Sequence, residues 1–139
     1  MSLSVQTVQA FARVGVGGIA VAAVQPLAWH DPVTGPASYD VPKGYVLLLM
    51  LATTTNFSGD LSLRVLVSER TYRFALGTSF EFRHPVLIRE GQNVVLLVAN
   101  EHSAAVQGAD TFHAVHALLI ENDTYDRLVG GYGESLPLY

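Results

Sequence analysis

Short apolar runs separated by turn residues follow one another from Tyr45 onward, and they predict β-strands. Residues 45–52 and 93–99 are continuously apolar, which is typical of strands covered on both faces. A helix is the alternative for 45–52, but a turn at 42–44 precedes this run and β-branched threonines follow it, which favours a strand. Apolar and polar positions alternate over residues 61–67, so this segment is expected to be a half-buried strand.

Later segments extend the same pattern. Residues 71–76 and 80–83 each place aromatic side chains on one face, and we expect them to pair as a hairpin. Pro85 cannot donate a ladder hydrogen bond, which predicts an edge strand at 86–88. Residues 111–121 form the last long apolar run and also favour a strand. Turn signals spaced by about 10 residues then predict an all-β fold, an antiparallel two-sheet β-sandwich of jelly-roll type.

The two ends of the chain depart from this pattern. Apolar positions in residues 4–13 fit a helix, whereas the neighbouring segments favour β structure, so helix and strand both stay open there. Residues 14–24 are rich in glycine and valine and predict a glycine-kinked strand. Residues 25–40 predict an irregular connection, and residues 122–139 have apolar side chains without periodicity.

We therefore expect a single domain over residues 1–139, with arms at about 1–13 and 122–139. Apolar side chains on such arms would be exposed to water unless they docked on a neighbouring chain. These side chains are the candidate interface residues: Val5, Val8, Phe11, Tyr125, Leu128, Tyr132, Leu136, Leu138 and Tyr139.

The composition supports association rather than a solitary domain. Hydrophobic residues make up 50% of the chain and charged residues only 14%, and the mean hydropathy is +0.31. The most apolar stretch, 14–24, is too short to cross a bilayer, so no membrane span is expected. A net charge of −4 argues against nucleic-acid binding. The remaining interpretation is an oligomer that buries apolar surface between its subunits.

Metal and cofactor sites are not expected. The chain has no cysteine, so a metal would need His, Asp or Glu ligands. The best pair is His113 and His116, but an odd spacing on a strand sends the two rings to opposite faces. This departs from the cupin family, in which two histidines spaced two apart point into one barrel. The loop carboxylates Glu101, Asp110, Asp123 and Asp126 have no calcium-loop spacing.

Catalysis is likewise not expected. His30 with Asp31, or His102 with Glu101 or Asp110, could form an acid–base pair. No serine lies in a nucleophile-elbow context to complete a triad with either pair. The arginines of the central strands and turns alternate with glutamates, which indicates a polar sheet face or ion pairs across a subunit contact. We therefore interpret the chain as a protein that is not an enzyme.

The central region resembles the small jelly-roll structural proteins of bacteriophage virions. The resemblance covers about residues 40–120 and lies in the turn Pro42-Lys43-Gly44 before an apolar strand, the segment Tyr72-Arg73-Phe74, and the turn 89–92 before the strand ending in Ala99-Asn100. It implies a capsid decoration (cement) protein or minor capsid component, commonly a homotrimer, that binds a major capsid protein or another virion protein. The implied location is the capsid surface, after assembly in the host cytoplasm.

Two other functions stay open at this point. A carbohydrate- or cell-surface-binding module would use Trp29, Tyr39, Phe57 or the loop 100–110 as its contact, and an exposed aromatic platform would favour it. A metal-dependent or hydrolytic enzyme would need one of the histidine groups above. Chain ends that contact neighbouring subunits would instead favour assembly.

Overall fold

The computed structural model describes residues 5–56, 61–76, 79–101 and 105–132, which form ten strands and one helix. The elements are β1 (Val5–Arg13), β2 (Val24–Pro26), β3 (Ala28–Trp29), β4 (Tyr39–Asp40), β5 (Tyr45–Thr55), β6 (Ser62–Val67), β7 (Arg70–Ala75), β8 (Ser79–Ile88), β9 (Asn93–Ala99), β10 (Phe112–Glu121) and α1 (Asn122–Tyr132). The all-β prediction is confirmed.

Two antiparallel sheets of five strands each make up the sandwich. The first sheet has the order β3-β1-β10-β5-β8. The second sheet has the order β2-β9-β6-β7, and β4 also pairs with β9. Since β10 lies between β1 and β5, the centre of the first sheet joins segments from opposite ends of the sequence.

The main core fills the space between the two sheets. Inward side chains from both sheets share one cluster of buried residues. On β6 these are Leu63, Val65 and Val67, as the alternation in the sequence predicts. On β10 the inward residues include Val115, Ala117 and Leu119.

A second, smaller cluster lies on the opposite side of the first sheet. Its buried members are Val46, Leu48, Leu87, Ile120 and Tyr125. Tyr125 belongs to α1, whose first residue donates its backbone N–H to the carbonyl of Gly44 at 2.9 Å. The helix thus covers one end of the sheet, and β5 is buried from both sides there, as its continuous apolar sequence predicts.

The predicted positions of the long strands are confirmed. Strand β9 has the predicted bounds, and β10 begins one residue later than predicted. The edge position predicted for 86–88 is confirmed, but this segment and the one predicted at 80–83 form a single strand, β8, which contains Pro85. On β7, Tyr72 and Phe74 pack against the main core while the side chain of Arg73 is 64% exposed.

The predicted hairpin between 71–76 and 80–83 is wrong. Strand β7 pairs with β6 in the second sheet, whereas β8 pairs with β5 in the first. The physical reason is that the tight turn at Ser68-Glu69 already supplies a partner for β7 along its full length. The chain then changes sheets between β7 and β8.

The expectations for the two ends also need correction. The segment predicted as an N-terminal arm is β1 from Val5 onward, and it pairs with β10 along its whole length. The segment predicted as a kinked strand over residues 14–24 instead forms turns up to residue 23, with one isolated bridge between Ile19 and Gln107, and β2 begins at Val24. Gly18 has φ +66, and a Cβ there would lie 2.8 Å from the Gln107 carbonyl oxygen, which explains a glycine at this position.

Part of the predicted C-terminal arm is α1, docked on its own sheet through Tyr125. Asp123 lies in the first turn of the helix, where a carboxylate interacts favourably with the free backbone N–H groups. The arm prediction for 133–139 lies outside the described residues.

Candidate functional site

An open, partly apolar surface lies on the outer side of the first sheet, beside α1. Because β1 directs Val8, Ala10 and Ala12 into the core, the intervening residues point away from it. We call this surface the outer face; its residues are Val5, Thr7, Gln9 and Phe11 of β1, Met50, Leu51 and Thr53 of β5, and Phe112, Ala114, His116 and Leu118 of β10.

A β-bulge lies at the middle of the outer face. The register of β5 against β10 shifts at this level: His116 pairs with Leu51 and Ala117 with Leu49, so Met50 is the extra residue. Against β8, Leu49 pairs with Val86 and Leu51 with Glu81, so there the longer insertion is on β8. Its side chain is 36% exposed. A shallow depression of about 190 Å³ lies beside it, and its walls include Gln9, His116 and Leu118. Bulges commonly adjust a sheet surface at functional positions.

The outer face is apolar or neutral. Phe11 and Phe112 pack with ring centroids 6.0 Å apart. The Gln9 side-chain amide donates to His116 Nδ1 at 2.9 Å across the paired strands. None of the residues that define the face is Asp, Glu, Lys or Arg, and the nearest charge on β1 is Arg13 at its end. Such a surface fits another neutral surface better than a charged ligand.

The candidate interface residues divide between this face and the interior. Val5, 38% exposed, and the half-buried Phe11 lie on the outer face. Val8 lies in the main core, and the Tyr125 side chain of α1 is buried in the second cluster, so neither offers surface to a partner. Leu128 and Tyr132 lie in α1, but their side chains are outside the described part of the structure, as are Leu136, Leu138 and Tyr139 altogether.

Sequence reasoning missed the central residues of this face. It named Phe11 but not Gln9, Met50 or His116 as interface positions. Strand pairing brings Gln9 and His116 together, and only the bulge at Met50 exposes a residue from an otherwise buried run. The available signal was the polar Gln9 facing out between the apolar Val8 and Ala10.

The two candidate histidine ligands lie on opposite sides of the first sheet, as their spacing predicts. His113 is 2% exposed and points into the sandwich, whereas His116 lies on the outer face. Burial lowers the pKa of His113 to about 4. Within residues 5–56, 61–76, 79–101 and 105–132, no three His, Asp or Glu side chains form a group that could hold a metal ion.

The candidate acid–base groups have other partners. Asp31 accepts hydrogen bonds from the backbone N–H groups of Thr34 and Val33, which lower the pKa of its carboxyl. This arrangement closes a turn. The partner that the sequence suggested for Glu101, His102, lies outside the described residues.

Glu101 instead joins two arginines of the second sheet. The Ser62 hydroxyl donates to its carboxylate at 2.7 Å, Arg64 bonds the same group, and Arg73 Nε lies 3.0 Å from it. These partners, led by Ser62, lower the pKa of Glu101. Arg64 and Arg73 therefore form their ion pairs within one chain, not across a subunit contact.

The aromatic residues proposed for carbohydrate contact do not form an exposed platform. Trp29 is fully buried and stacks on Tyr39 with centroids 5.0 Å apart. Burial also raises the pKa of Tyr39. In the loop 100–110, buried Asn100 donates to the carbonyls of Ile19 and Ala105 and so holds two loops together. Phe57 lies outside the described residues.

Comparison of the chain with protein-family models and with curated proteins finds no match. Among the helices of the described residues, none is long and apolar enough to cross a membrane.

Proposed function

We propose that this chain is a noncatalytic structural protein of a virion, a capsid decoration protein, that associates with copies of itself through the outer face of its first sheet. The observation that carries the proposal is the outer face itself: a neutral, partly apolar sheet surface with exposed Val5 and Met50. Soluble domains ordinarily cover such a patch with charge or with a partner.

The chemistry of the face favours a second copy as the occupant. At its centre, Gln9 and His116 each offer donors and acceptors, so Gln9 of one copy is a suitable partner for His116 of the next copy around a ring. The absence of charge from the face means that two copies can meet without burying an unpaired ion.

The size of the face indicates that α1 takes part in the same contact. Nine residues of β1 and a width of three strands give an outer face on the order of 400 Å², about half of what each partner contributes to a standard interface. Helix α1 lies directly beside this surface and carries the candidates Leu128 and Tyr132. The resemblance to phage jelly-roll proteins implies that three copies close the assembly.

Light scattering on a charged variant tests the self-association. We expect the native protein to have a mass that is a multiple of 15.0 kDa. Met50→Glu should return it to the single-chain mass, because each interface would then bury a carboxylate without a partner. Val33→Glu introduces the same charge at a side chain that is 87% exposed in a loop, and should not change the mass. A native protein that stays monomeric, or an equal response to both substitutions, contradicts the proposal.

The virion role needs its own experiment. Immunogold labelling and electron microscopy of particles from the native source should show this chain as a regular array on the particle surface. Labelling confined to material outside the particles would contradict the virion role while leaving the self-association result intact.

A further inference from the structure

A cleft between two neighbouring turns is lined by two arginines, Arg70 and Arg89. It lies outside the surface proposed for assembly. It lies between the β6–β7 turn and the β8–β9 turn, and its lining residues are Val67, Ser68, Glu69, Arg70, Arg89 and Gln92. Its volume is about 440 Å³, within the range of small-molecule sites. The outer face belongs to the first sheet, so the two surfaces do not share residues.

The two arginines of the cleft differ from those of the neighbouring strands. Arg64 and Arg73 both pair with Glu101. Within the described residues, neither the Arg70 side chain nor the Arg89 side chain forms a salt bridge or hydrogen bond, although both residues line the same cleft. Two arginines that line one cleft are a suitable arrangement for an oxyanion, which each guanidinium group can bind through two parallel N–H groups.

Local contacts hold the two turns in place. The Ser68 N–H donates to the Asn93 carbonyl at 3.3 Å, and the Ser68 hydroxyl bonds the Gln92 side chain. Other nearby carboxylates are directed elsewhere: Glu90 accepts the Gly44 N–H at 2.6 Å, and Asp40 accepts from Asn93 at 2.8 Å. The arginines are therefore not neutralised by these two groups.

The remaining lining residues indicate the kind of anion. Two arginines and one glutamate, Glu69, leave a net charge of +1 (two minus one), which suits a monoanion better than a dianionic phosphate. Glu69 and Gln92 can also bond hydroxyl groups, and Val67 supplies an apolar floor. We propose that the cleft binds an acidic sugar: its carboxylate contacts Arg70 and Arg89, and its hydroxyls contact Glu69 and Gln92.

Titration of the full chain with glucuronate, followed by amide NMR, tests this site. We expect saturable shifts confined to the two turns, with a dissociation constant in the millimolar range, and weaker binding of acetate and glucose. Arg70→Gln and Arg89→Gln should each weaken glucuronate binding about fivefold or more. Arg127→Gln removes the same charge from α1, far along the chain, and should leave the binding unchanged.

Several results would overturn the proposal. Equal binding of glucose would show that the carboxylate is not recognised, and equal binding of acetate would show that the hydroxyls are not. Tighter binding of inorganic phosphate would contradict the monoanion assignment. Loss of binding in Arg127→Gln, or no saturable shift in the native chain, would show that the cleft is not a site.

Discussion

His113 is a buried histidine with both ring nitrogens occupied. Thr111 Oγ1 donates its only proton to the Gly108 carbonyl at 2.8 Å, so the contact of 2.8 Å between this oxygen and His113 Nε2 requires Nε2 to carry a hydrogen. In the neutral ring Nδ1 is then an acceptor, and it bonds the Thr54 hydroxyl at 2.9 Å. The result is a directed chain of three hydrogen bonds that joins β5 to β10.

A second proton on His113 would reverse one of these hydrogen bonds inside the core. Its pKa is lowered to about 4 in the folded state, from 6.5 in the unfolded chain, because burial disfavours the charged ring. Between these pH values the unfolded state binds more protons than the folded state. The free energy of unfolding therefore falls as pH drops from about 6.5 to about 4, and below pH 4 the stabilisation from neutral His113 is fully lost. This lowering of the pKa corresponds to a loss of about 3 kcal/mol in the free energy of unfolding.

Urea denaturation at several pH values measures this loss. His113→Gln should flatten the decrease between pH 6.5 and 4, even if the variant is less stable at neutral pH. His116→Gln removes the histidine on the outer face and should keep the native decrease. Identical slopes for native protein and His113→Gln would contradict the assignment.

Glu101 is a carboxyl group whose pKa is lowered by hydrogen bonds and charges that favour its ionised form, whereas burial disfavours the ionised form of His113. Such a group stabilises the fold above its ordinary pKa of 4.5, and this stabilisation is lost as pH falls through the lowered value. We expect Glu101→Gln to lower the free energy of unfolding by about 1–2 kcal/mol at pH 7, because Arg64 and Arg73 lose their anion. The deficit should shrink as pH falls below 4.5 and through the lowered pKa of Glu101.

The exposed Glu69 supplies the matched control for that measurement. Glu69→Gln makes the same change at a carboxylate with no salt bridge among the described residues. It should change the free energy of unfolding by less than about 0.5 kcal/mol. Equal losses in the two variants would mean that Glu101 contributes only through net charge.

At the scale of elements, the strands with a clear local pattern were predictable and their partners were not. The buried runs of β5 and β9 and the alternation of β6 mark strands because burial on two faces or one face fixes the residue pattern. Pairing depends on which turn closes first and on long-range contacts, which explains the wrong hairpin for β7. Strand β1 stayed undecided because its partner, β10, is distant in sequence.

Helix α1 was not predicted because Gly130 and Gly131 disfavour a helix and the segment 122–139 as a whole has no period. Within α1 itself the apolar positions 125, 128, 129 and 132 do follow helical spacing, and of its described side chains Tyr125 joins the second cluster. We expect Tyr125→Ala to cost about 3 kcal/mol by exposing Val46 and Leu87, and to reduce helical circular dichroism. Tyr125→Phe keeps the ring and should retain the helix. An unchanged spectrum in Tyr125→Ala would show that α1 forms without this contact.

At the scale of the molecule, folding and assembly should depend on different parts of the chain. Deleting residues 130–139 leaves both sheets and Tyr125 in place, so the free energy of unfolding should be nearly unchanged. We expect the same truncation to weaken oligomerisation, measured by light scattering over a range of concentrations, because apolar side chains such as Leu136 and Tyr139 are removed. A truncated chain that unfolds, or that assembles as tightly as the native one, would contradict this expectation.

The candidate site was predictable only in part, because its position depends on strand pairing, which the sequence does not specify locally. Composition indicates that some surface must be shared with other chains, and the pattern supplied Val5 and Phe11. The place where the surface lies follows from the sandwich: strand pairing decides that Val8 is inside while His116 is outside. The bulge at Met50 depends on how β5 pairs with β10 and has no signature in the sequence of either strand alone.

The pairing of β1 with β10 has a consequence for synthesis on the ribosome. Val5–Arg13 is translated about a hundred residues before its partner, Phe112–Glu121. At a translation rate of about 5–20 residues per second, β1 has no partner strand for on the order of 10 s. During that time Val8, Ala10 and Ala12 have no sheet to cover them. The first sheet can therefore close only after translation of β10, and nascent chains must be kept from pairing with one another until then.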